Sequence, residues 1–128
     1  MLTTLSITVL KPDKLLNMND RGHWSERAGS VSVWRDAAFW WAKQHRIRCH
    51  AAPDATVEIW VAFGTDKPNQ RRDPHNFFPT VKAICDGFTD AAVWPDDDSK
   101  HVHTVEPTFT TDIAASSLTI TLTWEAKE

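Results

Sequence analysis

The spacing of apolar residues switches along this chain from every second residue to every third or fourth and back, twice. That alternation limits the folds open to it. Leu5, Ile7 and Val9 alternate with polar residues, the period of a half-buried strand. Trp34, Ala37, Ala38 and Trp41 then fall at i, i+3, i+4 and i+7, which predicts one apolar face of a helix over 24–46, weakened near its start by Gly29. Val57, Ile59 and Val61 restore the strand period between Asp54 and Phe63. Val81, Ile84, Cys85 and Phe88 give a second helical face over 76–92, with Asn76 as its N-cap or Pro79 at its first position, and Pro95 stops any continuation. Two further strands are expected near 100–109 and 116–124, where Leu118, Ile120 and Leu122 alternate with threonines. They are read as a hairpin. The order β-α-β-α-β-β predicts an α+β fold, a small mixed sheet of about four strands with two main helices.

One domain spanning 1–128 is expected, and 41% hydrophobic residues can form its core. No apolar run reaches transmembrane length. The opening MLTTLSITVLKP lacks a basic region and a long apolar stretch, so it reads as a first strand rather than a signal peptide. Cys49 and Cys85 form no CxxC pair and are expected as reduced thiols in a cytoplasmic protein. The seven tryptophans, Trp34, Trp40 and Trp41 among them, read as helix packing, core and dimer interface.

A net charge of −3 argues at first against a nucleic-acid partner, but the charge is unevenly spread. Residues 1–50 hold eight Lys/Arg against four Asp/Glu, and the rest hold six against thirteen. The acids include Asp96, Asp97 and Asp98 in a row, self-repelling unless a cation neutralises them.

Chemistry concentrates between Arg71 and His101. A polar loop with Lys67, Arg71 and Arg72 leads to Asp73. The second helix carries Lys82 and Asp86 at i, i+4, on one face. A turn then delivers Asp96 to Asp98 ahead of the next strand. If helix and turn return the chain on itself, Asp73 meets these acids in an oxygen cage of the kind Mg²⁺ takes. A cation there orients water and stabilises charge on a phosphodiester under attack. Lys82 would contact the scissile phosphate, and Arg71 and Arg72 the neighbouring backbone phosphates. Plainer readings stand beside these. Asp-Pro after Arg-Arg is ordinary turn chemistry, three acids also make a solvated loop, and Lys82 with Asp86 also makes a surface salt bridge.

The stretch resembles the signature of the RusA-type endodeoxyribonucleases. That pattern has an acid, one residue, then Asp-Asn; a helix with a lysine and an acid four residues on; and a paired Asp-Asp before a strand. Asp73, Asn76, Lys82, Asp86, and Asp96 with Asp97 match it. NMNDRGHW, followed by a helix with Trp34-Arg35, is similar to the family's Asn-rich loop and first helix. Such proteins are commonly phage- or prophage-encoded. The resemblance implies a homodimer that cuts four-way (Holliday) DNA junctions symmetrically with Mg²⁺, in recombination and repair, within a bacterial host's cytoplasm. It implies Asp73, Asp96 and Asp97 as metal ligands, Asp86 supporting or joining them, Asp97 as a catalytic ligand and Lys82 on the phosphate. Arg21 and Lys100 join Lys67, Arg71 and Arg72 as DNA contacts.

The chain departs from the pattern twice. His75 stands where the family has its second acid, and the step from Asn76 to Lys82 is longer. An imidazole suits zinc or manganese better than magnesium, so Mn²⁺ is a second candidate. His75 can also act as a general base near neutral pH, or take no part while Asp86 or Asp98 supplies the carboxylate. Two other functions remain open, a branched-DNA binder that does not cut and a metal-stabilised structural protein with no DNA role. His101 and His103 share a strand face, and Arg46 and Arg48 extend a phosphate-binding surface or cap a solvated helix end.

Overall fold

A computed structural model describes residues 1–19, 24–52, 54–94 and 102–127. Its fold is α+β. Five strands, β1 (Leu2–Leu10), β2 (Val57–Gly64), β3 (Val102–Thr104), β4 (Thr108–Thr110) and β5 (Ser117–Glu125), form one mixed sheet. Two helices, α1 (Trp24–Gln44) and α2 (Phe78–Asp90), accompany it. No helix among the described residues is long and apolar enough to cross a membrane.

The strand alternation is expressed as read. Leu118, Ile120, Leu122 and Trp124 of β5 are buried, with Ile59, Val61 and Phe63 of β2 beside them. The intervening threonines face the other way. There Thr121 and Thr119 share hydroxyl hydrogen bonds with Ser6 and Thr8 of β1, at 2.8 and 2.9 Å.

The expected final hairpin is not formed. β5 lies between β1 and β2, antiparallel to both, while β3 and β4 pair parallel to β2. Ladder length explains the choice. β5 matches all nine residues of β1, from Leu2↔Glu125 to Leu10↔Ser117, whereas β4 offers three. The single strand expected near 100–109 is split. Ile59 pairs with Thr104 but Ala62 with Thr108, so the register slips by one residue, a bulge around buried Pro107, which has no N–H for the ladder.

In α1, Trp34, Ala38 and Ala42 are buried, and Ala37 and Trp41 are half-buried. Trp40 does not pack in the core: it is 65% exposed, because six residues at about 100° each turn it 240° from Trp34. The helix ends with Arg46 in the left-handed region (φ 53°), Ile47 N–H donating to the Ala42 carbonyl and the Ile47 side chain buried. α2 begins two residues later than its pattern suggests, because 74–77 forms a 3-10 turn. Asp73 caps that turn; Asn76 caps neither helix, and Pro79 lies in the first turn of α2.

The helices touch at Gly87. A Cβ there would lie 2.3 Å from the Arg35 carbonyl oxygen and 2.7 Å from the Ala38 Cβ. Gly87→Val should therefore pry the helices apart and cost at least about 1–3 kcal/mol, read by chemical denaturation. Beside this contact Arg35 grips both Asp90 oxygens, at 2.6 and 2.8 Å. The guanidinium's hydrogen bonds hold the Asp90 carboxyl below the usual carboxylate range, against a smaller opposing effect of burial. A depressed carboxyl stabilises the fold above its unfolded pKa and loses that contribution as pH falls through its folded one. Both side chains are well exposed, so Asp90→Asn should cost no more than about 1 kcal/mol near pH 7 and nothing in strong acid, seen as melting curves that converge on acidification.

Cys49 and Cys85 are buried and form no disulfide, and burial pushes the Cys49 thiol up to about 12.

Candidate functional site

The connection from β2 through α2 to β3 carries most of the residues singled out from the sequence. It leaves β2 at Gly64, where a Cβ would sit 1.9 Å from the Ala114 carbonyl oxygen, so only glycine lets the two segments meet. Lys11 Nζ donates to the carbonyls of Gly64 and Ala115, at 2.8 and 2.7 Å, and ties the end of β1 to the end of β2. Burial lowers its pKa and the charge of Arg72 lowers it further, against Asp66. Lys11 thus adds a cation here that spacing did not signal.

The three cations of this loop expected as DNA contacts divide by role. Arg71 and Lys67 are exposed. Arg72 is half-buried: its Nη2 donates to Gln70 Oε1 at 2.9 Å and the Lys67 carbonyl at 3.1 Å, and its guanidinium lies 4.4 Å over the Phe109 ring. It organises the loop, leaving Arg71 and Lys67 as the outward charges.

Asp73 and His75 follow, both exposed. Asp73 Oδ1 accepts from the His75 backbone N–H at 3.0 Å, which fixes the carboxylate at the head of the 3-10 turn. The asparagine-rich loop lies against this turn. Met18 N–H donates to the Asn76 carbonyl at 2.8 Å, and the buried Thr80 hydroxyl both accepts from Leu16 N–H and donates to the Leu16 carbonyl. Further along α2, Lys82 Nζ meets Asp86 Oδ1 at 2.9 Å, on the solvent edge opposite the buried Val81, Ile84 and Phe88. About 12 Å of helix separates Phe78 from Asp86, so Asp73 and Asp86, both expected as metal ligands, stand near different ends of α2.

Asp96, Asp97, Asp98, Lys100 and His101 lie outside the described residues, as do Arg21 and His23. The described residues flanking the acids are Trp94, whose Nε1 donates to Thr89 Oγ1, and Val102, paired with Val57 at the start of β2. Arg72, next to Asp73, sits over Phe109, which pairs with Phe63 at the other end of β2, roughly 20 Å of strand away. Among the described residues no three His, Cys, Asp or Glu side chains converge on a metal position.

A second basic cluster, which the spacing of Arg46 and Arg48 only hinted at, surrounds a cleft at the end of α1 and includes Lys43 and His50. His103 of β3 is exposed.

No family model matches the chain, and no curated protein matches it.

Proposed function

We propose that this protein is a divalent-metal-dependent, structure-selective endodeoxyribonuclease of the RusA type, cutting four-way DNA junctions by phosphodiester hydrolysis. The observation that carries the reading is that one connection, from β2 through α2 to β3, holds an exposed acid and imidazole towards its start and an exposed Lys82 paired with a half-buried Asp86 midway. The Asp-Asp pair of the signature follows in the same connection's sequence. The carboxyl ends of parallel strands are common seats of binding and catalysis, and Asp73 and His75 follow the carboxyl end of β2.

The donor set fits a hard cation. Asp73 is exposed, with Oδ1 engaged by its own turn, and Asp96 and Asp97 are further carboxylates. Asp73, Asp96 and Asp97 would hold the metal, with Asp86 supporting them. When bound, Mg²⁺ or Mn²⁺ supplies Lewis-acid stabilisation of charge on the phosphate. Lys82 adds a positive charge that can neutralise a nonbridging oxygen, while Asp86 keeps its ammonium in place. His75, exposed beside Asp73, would accept a proton from attacking water. Arg71 and Lys67 hold neighbouring backbone phosphates. Two copies related by a dyad would present two such sites to a junction of matching symmetry.

The test is cleavage of a synthetic four-way junction beside a linear duplex of the same sequence, with Mg²⁺, with Mn²⁺ and with EDTA. Paired symmetric nicks confined to the junction and abolished by EDTA are the expected result. Junction binding without cleavage in either metal would favour a branched-DNA binder, the reading that His75 in place of an acid supports.

A further inference from the structure

We infer that the cleft at the C-terminal end of α1 is a second binding site for nucleic-acid backbone phosphates, remote from the Arg71 loop. The inference rests on the nucleic-acid reading above. The cleft has a volume of about 430 Å³ and is lined by Lys43, Arg46, Arg48 and His50, with Ala91 from the end of α2. All four polar side chains are exposed, and among the described residues no acid pairs with any of them.

The arrangement follows from chain geometry. Past the turn at Arg46, Ile47 and Cys49 are buried while Arg48 and His50 are exposed, the two-residue period of an extended chain. Such a chain sets Arg48 and His50 on one side about 6.6 Å apart, with Arg46 in the turn just before them. Several cations lining one open cleft suit a polymer that passes along it carrying repeated charges. A single small anion would call for an enclosed pocket.

Two opposing effects must be weighed. Cations near a helix C-terminus stabilise the helix dipole, which accounts for Lys43 in the last turn of α1 but not for Arg48 and His50 beyond it. Conversely, two helix C-termini near the cleft carry roughly half a negative charge each. Three permanent cations exceed that, and caps such as Ile47 N–H to Ala42 and Val93 N–H to Phe88 already occupy terminal carbonyls.

The experiment is fluorescence anisotropy of labelled duplex and four-way-junction DNA over a NaCl series, with wild type, R46Q/R48Q, R46K/R48K and R71Q. R46Q/R48Q should bind about tenfold or more weakly at low salt, with its log–log salt slope reduced by about two, while R46K/R48K keeps the wild-type slope. R71Q should lower the slope independently, and melting curves should show all variants folded. Wild-type affinity and slope in R46Q/R48Q would overturn the site while leaving the nucleic-acid reading intact. A reduced slope in a protein that cuts no junction would uphold the site and overturn the nuclease. Failure of the wild type to bind either DNA at low salt would overturn both.

Discussion

Replacing Trp34 with alanine is expected to cost about 3–5 kcal/mol and to bring the domain close to unfolding. Trp34 is fully buried where α1 meets the sheet, edge-on to Trp41 at 6.4 Å and to Phe63 at 6.5 Å between ring centroids. Its indole N–H donates to the Lys14 carbonyl at 2.8 Å, so the same side chain pins the loop after β1. Truncation leaves a large cavity and frees that carbonyl from its partner, which adds to the loss. Domains of this size are stable by only about 5–15 kcal/mol, so the variant should melt about 9 °C lower or more, at roughly 3–5 °C per kcal/mol. Trp40→Ala is the internal control. Trp40 is 65% exposed and meets Phe39 edge-on, so its loss should shift stability by no more than about 0.5 kcal/mol. Thermal melts followed by near-ultraviolet circular dichroism check both. Equal losses in the two variants would show that Trp40 is buried in solution, as it would be in a dimer that uses this face of α1.

Trp34 and Trp40 also mark what a sequence of this kind discloses. The alternation in 118–124 and the i, i+3, i+4, i+7 spacing in α1 are local, and both appear as read. A type of residue is not a position on the helix, so three nearby tryptophans looked alike until the helical angle separated them. The β4–β5 hairpin failed for another reason. Neighbours in sequence are the usual pairing partners, but β5 finds nine partners in β1, more than a hundred residues away. The slip between Ile59↔Thr104 and Ala62↔Thr108 depends on a proline fitting a bulge, which alternation does not encode. At the candidate site the motif order was legible, and Lys82 does meet Asp86. What spacing left open was direction. Arg72 turns inward onto Phe109, Lys11 arrives from another strand, and Lys43 joins Arg48 and His50 only because α1 ends beside α2.

Asp97→Asn is expected to lower junction cleavage at least about a thousandfold, or roughly 4 kcal/mol in activation free energy. The amide keeps the size and shape of the carboxylate but removes its charge, so the fold should survive while a hard divalent cation would lose one of the ligands proposed for it. DNA binding should behave oppositely. Removing a negative charge near phosphates relieves repulsion, so junction affinity should hold or rise slightly while the rate falls. That split between rate and affinity separates a catalytic ligand from a structural one, whose loss would weaken both. Asp86→Asn sharpens the comparison. Its carboxylate holds the Lys82 ammonium at 2.9 Å, and its side chain is 22% exposed against 60% for Lys82. If Asp86 only positions Lys82, the variant should lose about tenfold in rate and keep the wild-type metal dependence, since one exposed ion pair is worth about 1 kcal/mol or less. If it ligates the metal, its rate should fall towards that of Asp97→Asn and recover in part at high Mn²⁺. Wild-type cleavage by Asp97→Asn would remove that residue from the chemistry and leave Asp73 and Asp96 as the acids to test next.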